Sequence, residues 1–175
     1  MSISQNIKEI KRTLPSHVVL VAVSKTKPHA MLLEAYDAGQ RDFGENYVQE
    51  LVDKQAVLPK DINWHFIGHL QSNKVKYIAP FVHLIHSVDS VKLLKEIDKE
   101  ARKNNRVIDC LLQIYIAQEE TKFGFDVKEC LALLQSDEFK NLKRINIVGL
   151  MAMASNTDDT EQLQKEFQIV KTLFD

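Results

Sequence analysis

Leu20-Val21-Ala22-Val23-Ser24-Lys25-Thr26-Lys27-Pro28 decides how the rest of the chain is read. Val18 to Val23 is a continuous apolar, β-rich run, the pattern of a strand covered on both faces. It ends in two lysines, and an ammonium group is costly to take out of water. Either the chain surfaces at Ser24, or something at that strand end uses an amine. Pro28 then opens a helix through Ala38, with Gly39 just past its end.

Working outward, the alternation repeats. Ile3, Ile7, Ile10 and Leu14 form a leading helical stripe, and after it come six strand–helix units. The strands are expected at 18–24, 41–44, 64–70, 83–88, 109–116 and 145–153. The helices between and after them are expected at 28–38, 47–58, 73–79, 90–104, 127–134 and 160–174. Strict alternation implies a parallel sheet with right-handed helical crossovers. No G-x-G-x-x-G follows the first strand, which weakens the dinucleotide-binding version of an open sheet. Polar clusters sit at the strand ends: Ser24-Lys25, Gly44-Glu45-Asn46, Gly68-His69, Ser87 and Ser155-Asn156. A barrel places its active groups there.

The totals agree with one α/β domain over residues 1–175. The chain is 45% apolar and 27% charged, with a formal net charge of −1, so no bulk attraction to nucleic acid or membrane is expected. No apolar run reaches the roughly 18–20 residues of a membrane span. The first residues lack the apolar stretch of a secretory signal. The two cysteines, Cys110 and Cys130, fit no metal or redox spacing and are expected as packing residues in a reduced, cytoplasmic compartment.

Val19, Val21, Val23 and Lys25 share one face of the first strand. If that face points into a barrel, Lys25 sits at the rim of a packed interior. Desolvation, with Lys27 nearby, would then favour the neutral amine that Schiff-base formation needs. The alternative is a solvated strand-to-helix loop.

Five segments taken together, L-V-A-V-S-K-T-K-P, F-G-E-N-Y-V-Q-E, W-H-F-I-G-H-L-Q-S-N-K, I-H-S-V-D-S and G-L-M-A-M, resemble the pyridoxal phosphate homeostasis protein family, also described as proline-synthase co-transcribed proteins. The match runs in order from about Val18 to Met153. The resemblance implies a (β/α)8 TIM-type barrel of PLP fold type III, like the N-terminal domain of alanine racemase. It also implies pyridoxal 5′-phosphate (PLP) held as an aldimine on Lys25. The implied role is storage, delivery or buffering of the cofactor, without established catalysis. Apo forms of PLP enzymes are the implied receivers, and a monomer is expected for the full-length protein.

On that reading Lys25, Asn46, His65, Ser87 and Met151 are the expected cofactor-binding residues. Asn46 would contact the cofactor or else cap the following helix. His65 resembles a family position near the pyridoxal ring. Met151 either lines the pocket or packs in the core. Glu45 is either a rim charge or a partner for Lys27. Lys122 either approaches the barrel mouth or is a solvated loop lysine. No metal site is expected: His65 and His69 lie ~13 Å apart along an extended strand, and His83 and His86 fall on opposite faces of theirs. Only six of eight units are expected within 175 residues. The family's phosphate-binding G-S-T segment would follow them, so weak PLP retention is expected of this chain alone. The competing readings are a PLP-dependent racemase or decarboxylase, which would bring a second, β-rich domain, and a cofactor-free Schiff-base aldolase using Lys25.

Overall fold

A computed structural model describes residues 2–117 and 123–175. Six strands form one sheet in the order β1 to β6: Ala22–Val23, Asp42–Glu45, Asn63–Phe66, Leu84–Val88, Ile108–Ile114 and Ile145–Ala152. Every neighbouring pair is parallel. Purely sequential order is that of a (β/α)8 barrel, whereas a doubly wound sheet reverses direction partway. Six of the barrel's strands are present, and β1 and β6 are the two edges.

Several of the helices start where short polar side chains can satisfy their free N–H groups. A leading helix, α1 (Ile3–Thr13), opens with a Ser2–Gln5 capping box. α2 (His29–Asp37) follows Pro28, and α3 (Val48–Val57) follows Tyr47. A 3-10 turn at Ser72–Lys74 leads into the short α4 (Val75–Ile78). α5 (Val91–Lys103) is capped by Ser90. An Asp126–Glu129 capping box starts α6 (Val127–Gln135), and the extra short helix α7 (Asp137–Lys140) precedes β6. Asp159 caps α8 (Thr160–Phe174). Helices α1, α5, α6, α7 and α8 thus have a side-chain cap, whereas α2, α3 and α4 have none.

Strand register sorts the side chains into rows. Glu45, Phe66, Ile85, Cys110 and Ile147 lie side by side across β2 to β6. Of these, the first four are fully buried against the helices. The neighbouring row is Val23, Gly44, His65, Leu84, Asp109 and Asn146, on the opposite face. That face is more open at both edges, with Val19 65% exposed beside β1 and Val148 46% exposed on β6.

The expected strand at 18–24 is reduced to two residues, because an edge strand pairs on one side only. Strand β3 ends at Phe66 rather than Leu70. Gly68 there lies so close to Asn46 that a Cβ would sit 2.3 Å from the Asn46 carbonyl oxygen, so the chain leaves the sheet at this point.

Phe66 is fully buried at the centre of the helix-facing row. Phe66→Ala is expected to lower unfolding stability by about 3–5 kcal/mol with the urea m-value unchanged. Urea denaturation followed by far-UV circular dichroism measures this.

Candidate functional site

The site begins with an ammonium ion that has no access to water. Lys54, on α3, is 2% exposed and Glu45, at the end of β2, is fully buried. Lys54 Nζ donates to Glu45 Oε1, Glu50 Oε1 and the Ser24 carbonyl, each at 2.7 Å. These three acceptors use all three N–H donors of the ammonium group. Glu45 Oε1 also accepts from Ser24 Oγ at 2.6 Å, and Glu50 Oε1 accepts from the Thr26 backbone N–H at 2.6 Å. Glu45 Oε2 is buried with no partner among the described residues, a cost the remaining bonds must outweigh.

This network grips both flanks of Lys25. Ser24 is held through its hydroxyl and carbonyl, and Thr26 is held through its N–H at a φ of +62°, a conformation that a β-branched residue rarely adopts. The Lys27 N–H closes the turn on the Ser24 carbonyl at 3.1 Å. Glu45 therefore pairs with Lys54, not with Lys27. The backbone on either side of Lys25 is fixed while its side chain is left exposed. Val23, two residues below Lys25 on the same face, is also exposed, at 53%.

Asn46 follows β2 directly, at the level of Lys25 in the register that pairs Val23 with Gly44. Tyr47 rather than Asn46 is the cap position of α3, and no side chain caps that helix, so the capping alternative for Asn46 fails. Gly44 has no side chain, and Val21 and Ile67 close over it: a Cβ there would meet Ile67 at 3.0 Å and Val21 at 3.2 Å. Both residues are half-buried. An exposed amine and an amide thus stand above a small apolar floor, an arrangement suited to a flat aromatic aldehyde.

Ser87 is buried, and its hydroxyl donates to the Gly68 carbonyl. It supports the backbone that abuts Asn46. Met151 is half-buried on β6, opposite Gln113. It lies at the other edge of the sheet from Lys25. Ser155, beyond β6, is anchored like Ser24: Glu166 accepts from its N–H at 2.8 Å and its hydroxyl at 2.7 Å. These bonds hold the Glu166 carboxyl below its usual pKa. Lys122 lies outside the described residues.

His65 sits a layer deeper, level with Gly44. Its Nε2 lies 3.1 Å from Asp42 Oδ1, and its Nδ1 lies 2.9 Å from His86 Nε2. The His83 ring is also close, with its centroid 5.2 Å from that of His65. His83 and His86 therefore converge instead of pointing apart. β4 begins only at Leu84, so strand alternation does not govern His83. Ligand atoms of Asp42, His65 and His83, drawn from three neighbouring stretches of chain, lie within 4.8 Å of one another. Burial pushes the His86 pKa down to about 4 and lowers that of His65, so both rings are neutral at pH 7.

Sequential parallel strands with polar groups gathered beyond their C-terminal ends define the class of the alanine racemase N-terminal domain, and that family's profile matches residues 1–175. A pyridoxal phosphate homeostasis protein of Pasteurella multocida is 37% identical over 188 residues, taking in 100% of this chain and 80% of the relative. One from Haemophilus influenzae is 40% identical over 161 residues, taking in 90% of this chain and 67% of the relative. PipY of Synechococcus elongatus, solved with PLP bound, aligns with a TM-score of 0.89 at 36% identity, covering 99% of this chain and 80% of that one. The chain belongs to the pyridoxal phosphate homeostasis protein family.

Lys54→Met removes the cation from between two carboxylates. It is expected to cost about 3–5 kcal/mol, the usual consequence of breaking a buried ion pair from one side. Lys54→Met combined with Glu45→Gln should recover part of that loss. Chemical denaturation of the two variants beside the parent provides the comparison.

Proposed function

We propose that this chain captures pyridoxal 5′-phosphate through the Lys25 amine and holds it for cofactor homeostasis instead of turning over amino acids. The observation that carries the reading is the Ser24–Lys27 turn, whose backbone is clamped by a buried ion-pair network while the Lys25 amine stays accessible. The names of the relatives and the PLP-bound PipY structure support the same cofactor.

The chemistry asked of the protein is small. Lys25 would hold the cofactor through its side-chain amine, and the cofactor would supply an aldehyde, whose condensation with an amine releases water. Asn46 donates to a cofactor oxygen, Val21 and Ile67 support the ring, and Ser87 holds Gly68 in place. His65 acts from beneath, and Met151 would complete the wall from β6. Lys27 is a poorer candidate, since it lines an outer groove with Pro28, His29, Tyr47 and Asp53, between α2 and α3.

Release to apo forms of PLP enzymes and action as a monomer belong to the same proposal. A cytoplasmic setting does too, supported by two free, buried cysteines. No helix among the described residues is long and apolar enough to cross a membrane.

Titration with PLP followed by borohydride reduction and peptide mapping tests the assignment. A yellow adduct and a reduced label on Lys25 are expected, both lost in Lys25→Ala and both kept in Lys27→Ala. A label that persists in Lys25→Ala would overturn it. Turnover of amino acids by the PLP-loaded protein would overturn the carrier role and favour a racemase or decarboxylase.

A further inference from the structure

We propose that Asp42, His65 and His83 form a binding site for one divalent transition-metal ion of the zinc type, at the end of the sheet opposite Lys25. Asp42 is the first residue of β2 and His83 immediately precedes β4, whereas Lys25 and Asn46 follow the ends of their strands. Four residues of strand separate Asp42 from Asn46, roughly 13 Å at about 3.3 Å per residue. The Lys25 amine and the Asp42 carboxylate therefore belong to opposite ends of the open face of the sheet, with His65 in the row between them.

The donor set is two imidazoles and one carboxylate, which suits zinc, cobalt(II) and nickel(II) better than calcium or magnesium. Three protein ligands leave a fourth position for water. Ligand atoms about 2.0–2.1 Å from a tetrahedral ion lie roughly 3.3 Å apart. Asp42 Oδ1 and His65 Nε2 are already 3.1 Å apart. The whole set lies within 4.8 Å, so the remaining closure falls to His83. His83 is exposed and can rotate toward the pair, whereas the His65 side chain is only 5% exposed and is fixed.

The surrounding groups complete the arrangement. Asn63 Nδ2 donates to Asp42 Oδ1 at 3.1 Å and orients the carboxylate. His65 Nδ1 meets His86 Nε2 at 2.9 Å. Metal-bound histidines nearly always use their second nitrogen in this way, donating N–H to a fixed acceptor. Without metal, His65 Nε2–H donates to Asp42, and Nδ1 accepts from His86 Nε2–H. With metal, the His65 Nε2 lone pair goes to the ion, Nδ1–H donates to His86 Nε2, and the His86 proton moves to its Nδ1. No proton is released in this exchange between the two rings. Asp42 also lines a cleft of about 300 Å³ with Leu14, Pro15, Ser16 and Val19. Lys11 reaches the same cleft, but its amine is turned toward the Gly39 carbonyl at 3.4 Å.

The test uses protein without a histidine tag, treated with chelator and dialysed. Cobalt(II) chloride should produce visible absorption of a four- or five-coordinate site, saturating at one ion per chain. Zinc chloride added in calorimetry should bind with the same stoichiometry and displace the cobalt. His83→Asn alters an exposed residue and should fold normally; it is expected to weaken zinc at least roughly tenfold, on the scale of losing a group that only supports a ligand. Asp42→Asn should do the same. PLP capture at Lys25 should be unchanged in His83→Asn, which separates this site from the cofactor reading. Absence of saturable cobalt absorption overturns the proposal, and so does zinc affinity that is equal in the parent and in His83→Asn.

Discussion

A lysine ammonium sealed under a sheet must find three acceptors or be expelled, and the position of Lys25 follows from how Lys54 meets that demand. Its acceptors come from three places in the chain: the end of β1, the end of β2 and the first turn of α3. Satisfying one cation therefore fixes the relative height of two strands and the helix after them. Glu45 stands in a row that is otherwise apolar, between the helices and Phe66, Ile85 and Cys110. A hydrophobic pair in these positions could well be more stable, since buried ion pairs often recover little beyond their desolvation cost. What a hydrophobic pair could not do is hold a serine carbonyl and a threonine N–H on either side of an exposed amine. The polar network restrains a backbone turn with positive φ that apolar packing would leave free to relax.

The same logic recurs at the far edge. Glu166, projecting from α8, accepts both the N–H and the hydroxyl of Ser155 beyond β6. Two loops at the same end of the sheet are thus tied down by carboxylates, one from a strand and one from a helix. The opposite end is polar for another reason. Asp42, Asn63, His65, His83 and His86 face one another across β2, β3 and β4. One end of the sheet is organised around a restrained turn and the other around imidazoles and a carboxylate.

Much of the fold was legible because helix and strand periods alternate without interruption, so the parallel order followed from the pattern. The short α7 was missed since Asp137–Lys140 carries no apolar stripe of its own. In the site, the strand ends were legible from Ser24, Asn46 and Gly68. Lys54 was not, although Glu50 and Lys54 are four apart on a helix and that spacing brings them together. A lysine on an amphipathic helix reads as surface, and only the tertiary position of Glu45 puts it inside. The convergence of His83 and His86 was hidden because alternation was applied to a residue outside the strand. A register shift follows Ile85 and further breaks the count.

The turn around Lys25 bears on how a PLP carrier differs from a PLP enzyme. An enzyme benefits from sealing its amine in a dry pocket, where electrostatic effects on the reacting group are strongest and hydrolysis is suppressed. A carrier has the opposite need, because its imine must form and be hydrolysed on demand. Water must reach the imine carbon of any such carrier, and so must the amine that takes the cofactor over. The clamped turn meets the first requirement of capture, since it sets the direction in which the Lys25 side chain leaves its strand. The buried ion pair thus does for capture what burial does for catalysis. It supplies a defined geometry by holding the backbone at Ser24 and Thr26, and asks nothing of the Lys25 side chain itself.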